Sequence, residues 1–317
     1  MSAIRSKGPR TSLSWTTRFW AVVKYELLWN IRKKKFLGMV IVAFVFATLG
    51  LALPTILSNI VGLPLSQNPD YAVSSGAGSL GFFLFALVTV MNSISGEFES
   101  GTIVPLLTKP VSRTMVFLGK LFAAFIILLS TYAVLFLYTT IGATIVYGPQ
   151  NNLHLVPLTL LGNILSTFVW IAIVLAIGSL SKSSLLAALG AFGIFIALFI
   201  SAPIVSAFSE QSWVLTYVPG NGASGTLSIG HGIIIGSVST GTDSIAANLI
   251  NYVLYPSSNV TYYKIGALIP GQLPQMIELY AEPLSLVLLK SIAVAVGYIC
   301  AFLFISWFAL QRAQVLE

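Results

Sequence analysis

The chain has 317 residues, of which 56% are hydrophobic and only 8% charged, with a formal net charge of +7. A soluble globular domain is about 25% charged, so this sequence lacks the charge to coat a water-facing surface and reads as a polytopic helical membrane protein. The basic balance does not point to nucleic acid. Nine of the sixteen Lys and Arg lie before Phe36, at Arg5, Lys7, Arg10, Arg18, Lys24 and Arg32 through Lys35. A basic leader ending against an apolar run is an orientation signal and a lipid-headgroup contact, and no nucleic-acid motif accompanies it.

Taken in chain order, residues 1–35 form a cytoplasmic leader without a cleavable signal. Six apolar runs, each reaching at least about the 20 residues needed to cross a bilayer, then predict spans over 36–57, 76–95, 114–146, 153–180, 184–208 and 286–310. Together they make one transmembrane domain, 36–310, followed by a short tail, 311–317. The expected fold class is all-α. The leader, the 96–113 segment with Lys120, Lys182 and Arg312 hold fourteen of the sixteen basic residues, whereas the opposite side has Lys264 and Lys290. Positive charge resists translocation, so both termini are expected in the cytoplasm of a multi-pass plasma-membrane protein, with 96–113 an intracellular loop. The segment 209–285 is then external. It predicts a partly ordered cap with a short helix from Asp243 or Ser244 to Tyr255, stopped by Pro256. Asn259-Val260-Thr261 is a glycosylation sequon within it.

The loop reads GEFESGTIVPLLTKPVSR, residues 96–113. Gly101 breaks the extension of helix 2, Thr102 caps a new short helix, and Pro105 suits its first turn. Lys109 before Pro110 ends that helix, and Ser112 caps helix 3. The expected product is one or two turns presenting Leu106 and Leu107 between charges. A plain connector needs only a few residues, whereas an apolar knob rimmed by charge is a docking contact.

These residues, followed by Gly119-Lys120, resemble the signature loop of ABC-2 family permeases, the membrane subunits of ATP-binding-cassette exporters. The leader stretch KYELLWNIRKKKF resembles the family's interfacial entry helix, and FALQRAQV its closing basic segment. The resemblance implies that 96–113 is a coupling helix seated in a separate cassette ATPase, with contacts from Glu97, Glu99, Gly101, Thr102, Leu106, Leu107 and Pro110, and from Glu26 on the entry helix. Glu26 shares a helical face with Phe19, Val22 and Trp29, so that helix is not cleanly amphipathic. The resemblance further implies a second permease chain, identical or different, and an apolar gate at Phe192, Phe195 and Phe199 on helix 5. An apolar pathway of this kind suits an amphiphile.

The chain carries no G-x-x-x-x-G-K-[ST] loop, so it is not expected to be an enzyme or to hold a cofactor; ATP and Mg belong to the partner. Two rival classes remain in view. A membrane serine protease would need Ser224 of the Gly222–Gly225 string beside His231 and Asp243. The second rival is an ATPase-independent secondary transporter or channel; a secondary transporter usually carries ionisable residues inside its spans, whereas their absence does not exclude a channel. Helices 1, 2, 4 and 5 have none, and Lys120 and Lys290 lie near enough to helix ends to snorkel. Asn163, Ser166 and Thr167 are expected to bond between helices, and the small pairs Ala172/Ala176 and Ala187/Ala191 to permit close packing.

Overall fold

The computed structural model describes residues 14–32, 34–62, 68–74, 78–101, 111–230, 233–266 and 275–312. Among them are ten α-helices: α1 (Trp15–Arg32), α2 (Lys34–Val61), α3 (Tyr71–Ser74), α4 (Gly78–Val90), α5 (Ser95–Glu99), α6 (Arg113–Tyr147), α7 (Val156–Ser181), α8 (Ser184–Phe208), α9 (Ile245–Leu254) and α10 (Leu284–Arg312). Six helical segments are long and apolar enough to cross a membrane: Phe36–Val61, Gly78–Glu99, Arg113–Tyr147, Leu153–Ser181, Ser184–Phe208 and Leu284–Arg312.

The helices gather around α7. Trp170, Ile171 and Ile173 on α7 are fully buried, and they pack with Phe82 and Phe83 of α4, Leu128 and Tyr132 of α6, Phe195 of α8 and Ala295 of α10. Association between helices in lipid relies on close packing and hydrogen bonds, because lipid tails are as apolar as leucine. Both devices are present. Ala172, Ala176, Ala187 and Ala191 are buried, and Tyr132 and Thr167 share a hydrogen bond of 2.7 Å between α6 and α7. Ser166 instead donates to the carbonyl of Thr242, outside the spans, at 2.7 Å. The first span is peripheral, resting on α6 and α4 with most of its surface exposed.

The expectation of an all-α chain needs correction. The segment after α8 contains a four-stranded antiparallel sheet of order β2-β1-β3-β4, from β1 (Ser224–Ile229), β2 (Ile233–Ser239), β3 (Ser258–Ile265) and β4 (Met276–Pro283). Its strands are short, and their alternation is masked by Gly and Ser, so an isolated pass along the segment finds only apolar patches. The buried strand residues Leu227, Val260 and Tyr262 pack on Ala202 of α8 and on Leu284 and Val287 of α10. The helix expected before Pro256 is α9, following Ser244. Asn259 is an exposed residue of β3.

Hydrogen bonds identify the two ends of the bundle. Asn151 N–H donates to Pro69 O at 2.7 Å and Asn152 Nδ2 to Asp70 Oδ1 at 3.0 Å, joining the α2–α3 and α6–α7 connections at the end that carries the sheet. The opposite end gathers α1, α5, the start of α6, the α7–α8 turn and the end of α10.

Candidate functional site

Residues 96–101 and 111–113 lie at that second end. The backbone leaves α5 through Gly101, whose φ of +67° favours a residue without a Cβ. Thr102, Leu106, Leu107 and Pro110, expected to build the short helix and its knob, lie outside the described residues. The chain is described again from residue 111, where Ser112 caps α6 by accepting from Met115 N–H at 3.1 Å, as the sequence predicts.

The charges flanking the loop turn inward, each to a different helix. Lys120 Nζ donates to Glu26 Oε1 of α1 at 2.5 Å and to Glu97 Oε1 of α5 at 2.7 Å. The three side chains are only 5%, 6% and 17% exposed, so water screens them little. Lys120 therefore does not snorkel to the interface: it is the buried centre of an ion triad. Neighbouring Gly119 lets α1 approach, because a Cβ there would come within 2.7 Å of Val22 Cγ1. The Gly-Lys pair thus serves packing and charge together.

Glu99 reaches the start of α8, where Oε1 accepts from Ser184 N–H at 2.7 Å and Ser183 Oγ at 3.0 Å. A carboxylate there satisfies an orphan donor and complements the positive end of the helix dipole. Arg113 answers the opposite case. Its Nη1 donates to the carbonyls of Leu310 and Gln311, at 3.0 and 2.8 Å, at the negative end of α10. Trp307 Nε1 and Gln311 Nε2 also donate to Thr114 Oγ1, at 3.2 and 3.0 Å. The base of one loop is thereby fastened to α1, α6, α8 and α10.

Glu26 explains the imperfect amphipathicity of α1. Val23, Glu26 and Asn30 form its buried edge, whereas Trp29 is exposed. Its carboxylate faces the bundle and pairs with Lys120. Glu97, equally, is committed to Lys120. Of the aromatic trio on α8, Phe195 is buried and stacks on Phe83 at 4.5 Å and on Phe199 at 5.5 Å. Phe192 and Phe199 are exposed on the helix surface.

The protease constellation does not assemble among the described residues. Ser224 opens β1 and its backbone N–H is bound by Ser206 Oγ at 2.9 Å. Asp243 instead accepts from Trp170 Nε1 at 3.1 Å, and His231 lies outside the described residues. No group of three His, Cys, Asp or Glu side chains among the described residues is placed to hold a metal.

Sequence reasoning placed Arg113 and Lys120 in the signature stretch without finding their partners, and it missed Ser184. The available signal was the rarity of charge: a lysine eight residues into an apolar helix calls for a counter-ion. The sequence matches the family model described as ABC-2 family transporter protein over residues 20–315. No curated protein matches the chain.

Proposed function

This chain belongs to the ABC-2 transporter family, and from that premise we propose that it is the permease subunit of an ATP-driven exporter. A separate cassette ATPase binds and hydrolyses ATP with Mg, and two permease chains line the pathway. The basic end of the molecule faces the cytoplasm of a plasma-membrane protein, where 96–113 acts as the coupling helix. Leu106 and Leu107 form its apolar knob, Glu99, Gly101, Thr102 and Pro110 shape and flank it, and Glu97 roots it in the bundle.

The observation that carries this reading is the buried Glu26–Lys120–Glu97 triad with its flanking Glu99 and Arg113 clamps. A partner can shift a conformational equilibrium only through contacts that differ between the two states. A displacement of the loop would pull directly on α1 and α6 through Lys120, on α8 through Glu99 and on α10 through Arg113. The motion would reach the Phe192, Phe195 and Phe199 face of α8, proposed as the gate, as movement of packed helices.

The test is co-purification of the tagged protein in mild detergent, with the ATPase identified by mass spectrometry. The parent is expected to carry a cassette ATPase, and Leu106→Asp and Leu107→Asp to lose it while still inserting. Lys120→Met with Glu26→Gln and Glu97→Gln is expected to retain the ATPase but to lose permease-stimulated hydrolysis. If no ATPase is recovered even after crosslinking, the coupling reading fails and a self-contained carrier or channel takes its place.

A further inference from the structure

The apolar spans suggest a membrane domain free of deep charge, yet the segment after α8 returns one to it. Two connections cross at the sheet end of the bundle. Gly241 N–H donates to Asn221 O at 2.8 Å, Asp243 N–H to Gly220 O at 3.0 Å, and Gly220 N–H to Thr242 Oγ1 at 3.0 Å. The crossing delivers Asp243 to Trp170, well inside the span Leu153–Ser181. The aspartate is 8% exposed. Its Oδ1 accepts from Trp170 Nε1 at 3.1 Å and from Thr242 Oγ1 at 3.4 Å. Its Oδ2, fully covered, has no hydrogen-bond partner among the described residues.

Packing alone does not account for such a group. A buried carboxylate oxygen without a donor is costly, and an ionisable residue at this depth in a membrane domain marks a functional site by default. The side chain lines a small cleft with Ser79 of α4, Asn221, Trp170 of α7, and Phe195 and Phe199 of α8. Ser79 Oγ donates to Asn221 Oδ1 at 2.5 Å, fixing the polar rim. The cleft has a volume of about 10 Å³, roughly one water-sized group. Outward from it, Phe199, Ile200 and Ile204 present an exposed apolar face on α8.

We propose that this cleft is a binding site for the primary ammonium head group of a membrane amphiphile, with Asp243 as its counter-ion and the aromatic rings as its walls. A carboxylate supplies the opposite charge and acceptors for N–H donors. Aromatic faces attract a cation further where water is excluded. The size of the cleft selects the head: a –NH3⁺ group is close to the size of water, whereas a trimethylammonium is several times larger. The alkyl chain lies along the exposed face of α8. Burial pushes the Asp243 carboxyl up to about 6, against the restraint of its hydroxyl and indole neighbours. Among the described residues, Tyr132 of α6 is the titratable side chain that faces it. The elements packed around it otherwise contribute Ser79 on α4, Ser166 and Trp170 on α7, Phe195 and Phe199 on α8, and Asn221. The head group therefore binds above pH 6 and is released as the carboxyl protonates below it. The site holds whether or not an ATPase drives the chain, so its failure and that of the coupling reading are separable.

The experiment is a thermal-shift titration of the full chain in phosphatidylcholine nanodiscs with dodecylammonium, dodecyltrimethylammonium, dodecanol and ethylammonium. Dodecylammonium is expected to stabilise saturably at pH 7.5, with half-saturation at least tenfold below that of the trimethyl analogue and of dodecanol. The effect should weaken at least tenfold at pH 5, in Asp243→Asn, and in Ser79→Leu, which narrows the cleft and removes a hydroxyl neighbour of Asp243 while keeping the carboxylate itself. Ser79→Leu keeps the test decisive if Asp243→Asn does not fold. Equal half-saturation in the parent and the folded variants, or equal binding of the trimethyl analogue, would overturn the site. Saturation by ethylammonium at the same concentration would overturn the amphiphile and make a free amine the ligand.

Discussion

Two buried polar clusters lie toward opposite ends of the helical bundle, and they differ in how their charge is answered. At the loop end, Lys120 sits between Glu26 and Glu97 with both contacts at 2.7 Å or less. At the sheet end, Asp243 leans on neutral donors, and one of its oxygens has no hydrogen-bond partner among the described residues. Partnered charge fixes helices in place, because separating the partners would leave each one stranded in low dielectric. A carboxylate without a cation is instead responsive, since a proton or a cationic ligand changes its energy directly. The first cluster is suited to transmitting a displacement, the second to sensing what enters the membrane domain.

The largest test of this contrast removes the cation. Lys120→Met leaves two buried carboxylates facing each other and is expected to cost about 3–5 kcal/mol of stability, read as the unfolding transition in detergent. Adding Glu26→Gln and Glu97→Gln should restore most of the loss. A Lys120→Met protein as stable as the parent would mean that the triad does not hold α1 to α6.

The second test is pH. Burial raises the Asp243 carboxyl from 3.8 to about 6. A group raised in this way contributes its full stability below pH 3.8 and loses it as pH rises through about 6, a change of about 3 kcal/mol. Asp243→Asn cannot ionise, so its stability relative to the parent should rise by about 3 kcal/mol between pH 3.5 and pH 8. Measuring the difference between the two proteins cancels the opposite trend of carboxylates that are paired with cations. A flat difference would place Asp243 in a better-solvated setting than the geometry indicates.

Smaller effects calibrate the scale. Ser112→Ala removes the hydroxyl that caps α6 and should cost about 1 kcal/mol, with the rest of the loop end unchanged. At the rim of the sheet end, Lys264 and Glu210 form an ion pair with the glutamate 74% exposed. The lysine holds the Glu210 carboxyl below its usual range, but exposed pairs contribute little and are screened by salt. Glu210→Gln is therefore expected to leave the unfolding transition where it is, at low and high salt alike. A clear shift would show that the cap depends on its surface charges.

The chain's own order of residues determined its class, its six apolar crossings and the place of the loop. Those properties depend on contiguous runs: 20 apolar residues need lipid, Gly101 ends a helix, and Ser112 begins one. The family resemblance was carried by that loop together with local stretches of the leader and the tail. The sheet was legible only as apolar patches, because strands of six to eight residues take their stability from partners distant in sequence. Tertiary structure alone decided where the charges point. Lys120 and Glu26 are separated by 94 positions, and Asp243 meets Trp170 across 73. A charge near a helix end looks the same in sequence whether it reaches for water or for a buried counter-ion. Which it does depends on whether a partner helix packs closely enough to supply the opposite charge, and that is a property of the assembled bundle.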